Sequence, residues 1–495
     1  MASVDRANDR TKSPYETKVR AGRVWRLVRP RADVRRFGGV ACDCPFSNVH
    51  RILTQLLFHT YHFPPIGGSG VQRPLKIVQR LLDHGYESIV VTRGGDERGE
   101  RWSPEDATLL REVPPSVDVR RVPAADEPRH ERALRPALRR WLGYGDAWRS
   151  WWVDSSYRVA LDAAGDAQLI YVWMQPYASA EVGAALSGAL GLPWIADLGD
   201  PWALDEMIAY PSAIHRLRAL RHMGRVLETA SAIVMSTPEA ADRIVSRLPE
   251  LRDRPVVAIS NGFDPADFAR PAEPRKDRKF RIVHTGYLHT TLGLQHRRRR
   301  AARRLLGGSI RGVDMFTRSH VFLIEAINRL IAEDPALENV IELYLAGVAD
   351  EVDREVAASC PVTVMRGFVT HAEAVALMRS ADLLFLPMHN LPPGVRATIV
   401  PGKTYEYLAS GRPILAAVPD GDARDLLGEA GGAVVVRPDD VEGIVRALRS
   451  EIGAFRVGAE RPRPAADVVA RFEYKRLAAE LAGVFDKVLA QSGTT

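Results

Sequence analysis

The stretch Arg51-Ile-Leu-Thr-Gln-Leu-Leu-Phe-His59 is an apolar run that predicts a buried strand. A glycine-rich loop, Gly67-Gly-Ser-Gly70, follows it, and Val71-Gln-Arg-Pro-Leu-Lys-Ile-Val-Gln-Arg-Leu-Leu82 then has the apolar spacing of a helix. Gly85 ends this helix, and the β-branched run Ile89-Val-Val-Thr92 predicts a second strand. A strand, a helix and a strand in this order form a βαβ unit, in which the two strands are parallel.

The same alternation continues along the chain in two halves. Further strands are predicted at residues 169–173, 194–196, 232–235, 256–259, 280–284, 341–345, 362–365, 383–386 and 414–417, and further helices at 180–190, 214–229, 321–332, 372–379, 405–409 and 441–448. A segment rich in proline and charge, Asp264–Lys279, interrupts the pattern and predicts a linker. We therefore expect two doubly wound α/β domains that share a cleft at the carboxyl ends of their strands, where ligands bind.

These patterns also set the expected domain boundaries. Residues 1–50 carry no sustained period and predict a basic, disordered extension, and the two domains cover 51–264 and 280–455 on either side of a linker at 265–279. In the tail, 456–495, one amphipathic helix is predicted over Ala465–Leu489, because its apolar residues fall on a single stripe that must pack on another element.

Composition and charge exclude several classes of protein. The chain has 495 residues, 46% hydrophobic and 26% charged, which is typical of a globular protein, and its three cysteines cannot staple a secreted disulfide fold. No apolar run approaches a membrane span, and no signal-peptide core is present, so a cytoplasmic protein is predicted. The net charge of +7 is concentrated in residues 1–50 and 297–318. Such local basic blocks argue against a nucleic-acid partner and favour peripheral contact with an anionic membrane.

Three glycine-bearing loops are candidates for binding phosphate. Gly67–Gly70 opens a helix, where unpaired N–H groups can hold an anion, but it lacks the G-x-G-x-x-G spacing, and no acidic residue ends the second strand, so NAD is not expected. His284-Thr-Gly-Tyr287 follows the first strand of the second half, and Gly286 would allow close approach of a phosphate. A structural turn is the alternative for both loops.

The third loop, Val400-Pro-Gly-Lys-Thr-Tyr-Glu-Tyr-Leu-Ala-Ser-Gly-Arg-Pro413, is the most informative. It contains a short helix that ends at Gly411 and carries Lys403 and Glu406 in its first turns. A diphosphate could lie on the helix N-terminus near Lys403, and Glu406 is placed to accept hydrogen bonds from a ribose diol. The alternative is a solvated helix with a glutamate near the favourable end of its dipole.

The segment from Lys403 to Pro413 resembles the C-terminal signature of the GT-B glycosyltransferases, specifically glycosyltransferase family 4. Four other stretches agree in order, namely Phe63-Pro-Pro-Ile-Gly-Gly-Ser-Gly-Val-Gln-Arg73, Trp194-Ile-Ala-Asp-Leu-Gly-Asp-Pro-Trp202, Ser260-Asn-Gly-Phe-Asp264 and Arg366-Gly-Phe-Val-Thr-His371. The resemblance implies two Rossmann-like domains facing a central cleft, with the C-terminal helix crossing back to the first domain. It also implies retaining transfer of a sugar from a nucleotide diphosphate donor, such as a UDP-sugar, with no cofactor and no required metal.

The resemblance further assigns roles to individual residues. On the donor side, Glu406 would hold the ribose, Lys403 with Gly402, Thr404 and Gly286 would face the diphosphate, and Phe368 and Val369 would frame the base. On the other side, Gly67, Gly68, Ser69 and Gly70 would face the sugar phosphate or the acceptor, and Tyr177, Ser179, Asp197 and Asp200 would line the acceptor site. Asp200 is the candidate that orients the acceptor hydroxyl, with Asp197 beside it.

Two features depart from the family pattern. Members often carry a glutamate eight residues before the ribose glutamate, where this chain has Thr398. The loop after Gly286 is also enlarged, to about residues 288–318, and is rich in arginine. Either Arg297 or Arg318 could then be the positively charged residue that contacts the donor phosphates. The alternative is that the loop is a mobile surface insert.

The acceptor is left open by the sequence, since a lipid-linked glycan precursor of surface polysaccharide and a small natural-product aglycone fit equally well. Two other functions are compatible with the fold. One is epimerisation of a nucleotide sugar, and the other is a degenerate relative that binds partners without transferring sugar.

Overall fold

The structure is a computed structural model that describes residues 53–68, 70–94, 104–123, 128, 147–269 and 275–493, without the side chains of residues 302 and 303. The predicted extension at 1–50 and Ser69 of the first glycine loop lie outside the described residues.

The first half of the chain forms a parallel sheet. Its described strands are β1 Thr54–His59, β2 Tyr86–Arg93, β3 Asp118–Val122, β4 Leu169–Trp173, β5 Trp194–Leu198, β6 Ala232–Met235 and β7 Val256–Ala258. Their spatial order is β3-β2-β1-β4-β5-β6-β7. The predicted βαβ unit is confirmed, because β1 and β2 are parallel neighbours with Leu57 opposite Ile89. The chain reverses its winding direction beside β1, so the glycine loop after β1 lies at a topological switch point.

Helices cover both faces of this sheet. Those described are α1 Gln72–Leu81, α2 Ala147–Ala163, α3 Ser179–Leu190, α4 Ala213–Leu227 and α5 Pro238–Arg247. Their ends have local causes: Thr237 accepts a hydrogen bond from the N–H of Ala240 at the start of α5, and Gly191 ends α3 in the left-handed conformation. In this half the sequence did not predict β3, α2 or α5, and the first two lie beside segments outside the described residues.

The predicted linker is partly folded onto the first domain. It includes the short helix α6 Pro265–Phe268. Asp264 accepts a hydrogen bond from Arg80 of α1 at 2.7 Å, and Lys76 contacts Asp267 at 3.2 Å. The described part of this segment is therefore tied to α1 by buried and half-buried ion pairs.

The second half repeats the architecture. Its described strands, all parallel, are β8 Phe280–Thr285, β9 Ile341–Ala346, β10 Thr363–Gly367, β11 Leu383–Pro387, β12 Ile414–Ala417 and β13 Ala433–Val436, in the order β10-β9-β8-β11-β12-β13. Its helices are α7 Thr290–Arg298, α8 Arg300–Leu306, α9 Val321–Glu333, α10 Glu351–Ala358, α11 His371–Arg379, α12 Lys403–Ser410, α13 Asp422–Ala430 and α14 Val441–Arg456. The two doubly wound domains expected from the sequence are confirmed.

The tail differs from the single helix predicted over Ala465–Leu489. It forms two helices, α15 Ala466–Ala470 and α16 Tyr474–Ser492. The break occurs because the backbone between them pairs with Phe263: the N–H of Phe263 donates to the carbonyl of Phe472, and the N–H of Tyr474 donates to the carbonyl of Phe263. The second helix then buries Phe485 against Tyr171 of the first sheet, with ring centroids 5.5 Å apart.

The arginine-rich insert contains two helices, α7 and α8, where the sequence showed no strong period. Position 293 of α7 requires glycine, because a β-carbon there would be 2.3 Å from the Cα of Phe316. This close backbone contact fixes α7 on the end of the insert. Among the described residues, no helix combines the length and the apolar composition that crossing a bilayer requires.

Candidate functional site

A cavity of about 710 Å³ lies between the two sheets, at the carboxyl ends of their strands. It is called the cleft below. Trp173 at the end of β4, Asp200 in the loop after β5 and Gly286 in the loop after β8 all line it. Of the residues predicted for the site, the cleft is lined by Gly68, Gly70, Tyr177, Asp200, Gly286, Arg318, Phe368, Val369, Gly402, Lys403 and Glu406.

The first turn of α12 supplies a cation and a carboxylate to the cleft. Lys403 and Glu406 are three residues apart and so lie on the same side of the helix, while Tyr405, Tyr407 and Leu408 are buried. Gly402, the residue before the helix, also lines the cleft, so the N-terminus of α12 faces it. This arrangement favours an anion beside Lys403.

Lys403 is held by a neutral histidine. The Nδ1–H of His284 donates to the carbonyl of Phe385 at 3.0 Å, which leaves Nε2 to accept a hydrogen bond from Lys403 Nζ at 3.3 Å. Burial and the nearby Lys403 keep the pKa of His284 well below its usual value. Burial and the charge of Arg318 in turn lower the pKa of Lys403 to about 7. A bound anion would favour the charged form of this lysine.

Arg318 is the insert arginine that lines the cleft. Its Nη1 contacts Met207 Sδ at 3.1 Å. Burial lowers the pKa of Arg318, and the neighbouring carboxylates, with Asp200 the strongest, oppose that effect. Arg297, the alternative from the sequence, instead pairs with Asp314 and does not line the cleft.

Asp200 and Tyr177 line the wall formed by the first domain. Burial raises the pKa of Asp200, while Arg318 acts in the opposite direction. Tyr177 is stacked on Trp202, with ring centroids 5.8 Å apart and planes at 10°. The carboxyl of Asp200 is thus a proton-accepting group with reduced solvation next to a cation, which suits orientation of a hydroxyl.

Glu406 pairs with His371, a residue that sequence reasoning did not assign. His371 Nε2 lies 2.9 Å from Glu406 Oε1. Burial would lower the pKa of His371, but the hydrogen bond to Glu406 raises it. The backbone N–H of His371 also donates to Asp106 of the first domain at 2.9 Å. The only signal in the sequence was its position at the end of the stretch Arg366–His371.

The structure corrects the positions expected for Asp197 and Ser179. Asp197 is fully buried beneath the cleft, where its two oxygens accept hydrogen bonds from Arg73 at 2.9 and 3.1 Å and a further one from Tyr171. Ser179 is also fully buried and lies 3.0 Å from Trp152 Nε1, which donates to it. Both faces of β5 are covered by other elements, and Asp197 points to the face on which Arg73 of α1 lies.

Two further residues predicted for the site, Thr404 and Gly67, do not line the cleft. The side chain of Thr404 is fully buried and does not line the cleft, and its N–H donates to the carbonyl of Pro401 at 2.9 Å. Gly67 allows close packing instead, since a β-carbon there would lie 2.9 Å from the Cβ of Asp106. Among the described residues, no group of three histidine, cysteine, aspartate or glutamate side chains could hold a metal ion.

The two facing Rossmann-like domains, the cleft between them and the C-terminal helix that returns to the first domain define the GT-B fold. Comparison with solved structures supports this class. Sucrose-phosphate synthase from Thermosynechococcus elongatus matches with a TM-score of 0.56 at 14% identity, over 88% of this chain and 100% of that chain. Trehalose 6-phosphate synthase from Burkholderia multivorans matches with a TM-score of 0.55 at 14% identity, over 89% and 99%.

HepE from Anabaena, whose structure contains UDP and glucose, matches with a TM-score of 0.52 at 14% identity, over 88% of this chain and 100% of that chain. Residues 313–452 of this chain match the family described as Glycosyl transferases group 1. The matched segment covers most of the second domain, including Arg318, Lys403 and Glu406. A search of curated protein sequences finds no significant match.

Proposed function

We propose that this protein is a glycosyltransferase that moves a sugar from a nucleotide diphosphate donor to an acceptor hydroxyl. The observation that carries the proposal is the meeting of Lys403, Arg318 and Glu406 around one cleft between the two domains. Arg318 is close enough to Lys403 for its charge to lower the pKa of the lysine. Glu406 places a carboxylate on the same turn of helix as Lys403.

Each group then has a chemical task in the transfer. Lys403, Arg318 and the N-terminus of α12 neutralise the charge that develops on the diphosphate as it leaves. Glu406 accepts hydrogen bonds from the donor ribose, Gly286 lets the phosphates approach the backbone, and Phe368 with Val369 borders the base. On the facing wall, Asp200 orients the acceptor hydroxyl, with Tyr177, Gly68 and Gly70 beside it.

The proposal extends to points that rest on the resemblance. Transfer is retaining and needs no metal, since Lys403 and Arg318 supply positive charge at the diphosphate. A hexose carried by UDP is the donor we propose, by analogy with the UDP-glucose bound to HepE. The acceptor we propose is an intermediate in the synthesis of a surface glycan or a natural product, and the protein acts on it from the cytoplasm.

The test is calorimetric binding of UDP, GDP, dTDP and ADP to the full-length protein. One of these nucleotides should bind, and Glu406→Ala should weaken its binding by about 2 kcal/mol, roughly 30-fold, because charged hydrogen bonds to the ribose are lost. Glu355→Ala, on the exposed surface of α10, serves as the matched control and should leave the affinity unchanged. Equal affinities of the two variants would remove the ribose assignment.

Products separate transfer from the two other functions that fit the fold. Sugar transferred to an acceptor, with release of the nucleotide diphosphate, supports the proposal. Epimerised sugar formed from the donor alone would identify an epimerase instead. If none of the four nucleotides binds, a non-catalytic binding partner becomes the better explanation.

A further inference from the structure

A second cavity, of about 270 Å³, lies between the insert and the loop after β5. Its lining includes Arg297, Arg300, Arg304 and Arg311 from the insert and residues 207–209 from the first domain. We call it the arginine cavity. It shares no lining residue with the cleft, and it lies next to it, since Met207 of the arginine cavity contacts Arg318 of the cleft.

The arginine cavity carries an excess of positive charge. Its two carboxylates are already engaged: Asp314 pairs with Arg297 at 2.5 Å, and Glu206 accepts hydrogen bonds from Thr398. The other three arginines, at 300, 304 and 311, have no carboxylate partner among the described residues. Arg297 is also fixed over the ring of Phe316, 4.2 Å from its centroid. Guanidinium groups gathered around a concave site match the geometry of phosphate oxygens.

Exposed aliphatic side chains lie next to this cavity. Leu305 and Leu306 follow Arg304 on α8 and are 88% and 45% exposed. On the neighbouring helix α4, Ile214 and Leu217 are 63% and 45% exposed. The segment that follows α8 contacts the segment that precedes α4, since the N–H of Tyr210 donates to the carbonyl of Gly308 at 2.7 Å. These four residues form what we call the apolar rim.

Aliphatic side chains left in water beside a cluster of arginines are typical of surfaces that insert into an anionic bilayer. The arginines contact phosphates at the headgroup level, and the aliphatic groups enter the acyl boundary. The two features occur together on the insert helix α8, where Arg304 lines the cavity and Leu305 is the next residue.

We propose that the arginine cavity binds the phosphate or diphosphate group of a lipid-borne acceptor, with the apolar rim in the lipid surface. Calling the lipid an acceptor rests on the proposed function, whereas phosphate binding by the cavity does not. The cavity is several times larger than the ~30 Å³ share of a water molecule, so it has room for a phosphate group.

The first measurement is calorimetric titration of the full-length protein with inorganic pyrophosphate while UDP saturates the cleft. The triple variant Arg300→Gln/Arg304→Gln/Arg311→Gln should bind pyrophosphate at least ~10-fold more weakly than the wild type, because charged hydrogen bonds to phosphate are lost. The matched control is Arg247→Gln/Arg252→Gln/Arg254→Gln, which removes three exposed arginines elsewhere on the first domain and should bind like the wild type. Equal binding by both triple variants would overturn the site.

The second measurement distinguishes a lipid from a soluble phosphate. Cosedimentation uses vesicles of phosphatidylcholine with and without phosphatidic acid. Leu305→Ser/Leu306→Ser should lose binding to the vesicles that contain phosphatidic acid and keep the wild-type affinity for pyrophosphate. If this variant sediments like the wild type, the lipid part of the proposal is wrong and the phosphate comes from a soluble molecule.

The proposed function and the arginine cavity are tested by different results. If no nucleotide binds the cleft, the pyrophosphate titration is repeated without UDP, and the difference between the two triple variants still tests the arginine cavity. Loss of nucleotide binding in Glu406→Ala, in contrast, tests the cleft and leaves the arginine cavity unaffected.

Discussion

Thr398 of the second domain donates two hydrogen bonds to Glu206 of the first. Its backbone N–H lies 2.9 Å from Oε1 and its hydroxyl 2.5 Å from Oε2. His389 adds a third contact to Oε1 at 3.2 Å. The carboxylate is buried, so these contacts replace its hydration and join the two domains at one side of the cleft. The threonine that departs from the family pattern is therefore occupied with a carboxylate from the opposite domain.

We expect Glu206 to make the protein sensitive to acid. Burial alone would raise the pKa of Glu206, but hydrogen bonds from His389 and Thr398 hold it at about 2, below the ordinary value of 4.5. Its contribution to stability is complete above pH 4.5 and is lost as the pH falls through 2, with a total of about 3 kcal/mol. Urea unfolding of the wild type and Glu206→Gln should show a weaker pH dependence for the variant in this range, whereas the exposed control Glu355→Gln should follow the wild type.

We expect nucleotide binding to be coupled to protonation of Lys403. Because the pKa of Lys403 is about 7 in the free protein, a bound diphosphate should raise it, and binding should take up a proton above pH 7. Affinity then falls with rising pH, by up to about 10-fold per pH unit. Calorimetry in buffers of different ionisation enthalpy measures the proton uptake.

Lys403→Arg is the control for this prediction, since its guanidinium stays charged throughout the range. Any pH dependence that belongs to the nucleotide itself remains in this variant. An identical slope in the wild type and Lys403→Arg would show that Lys403 does not contact the diphosphate.

We expect Gly286→Ala to weaken nucleotide binding about 10-fold, because a β-carbon there would lie 2.7 Å from Lys403 Nζ and displace it. Gly286 also has a φ of +105°, so the substitution strains the backbone. Gly411→Ala is matched for positive φ, at +67°, but meets no atom within 4 Å. Comparable loss of affinity in both variants would attribute the effect to backbone strain rather than to Lys403.

We expect Asp200→Asn to lower turnover by about 100-fold while the nucleotide affinity changes less than about 2-fold, because the carboxylate acts on the acceptor hydroxyl. Turnover is followed as release of nucleotide diphosphate from the donor that calorimetry identifies. Asp162→Asn, on the exposed surface of α2, is the control. Full turnover in Asp200→Asn would remove Asp200 from the acceptor site.

The sequence determined most of the strands, the alternating α/β order and the local placement of several site residues, but it did not predict β3, β13, α2, α5, α10 or α13. Buried parallel strands are continuous apolar runs, and the helices between them repeat every 3.6 residues, so β1, α1 and β2 could be predicted from a few residues each. The same periodicity placed Lys403 and Glu406 on one side of a short helix. These properties depend on neighbours within one or two turns of chain.

Only the tertiary structure decided which side chains pair with one another and which of them line the cleft. It placed Arg318 there and paired Arg297 with Asp314, buried Asp197 against Arg73, and joined Thr398 to Glu206 and Glu406 to His371. Asp197 and Asp200 are three residues apart and equally acidic, yet one is beneath the cleft and the other lines it. Such contacts join residues far apart in the chain, and they depend on how the two sheets pack and face each other, which local periodicity does not encode.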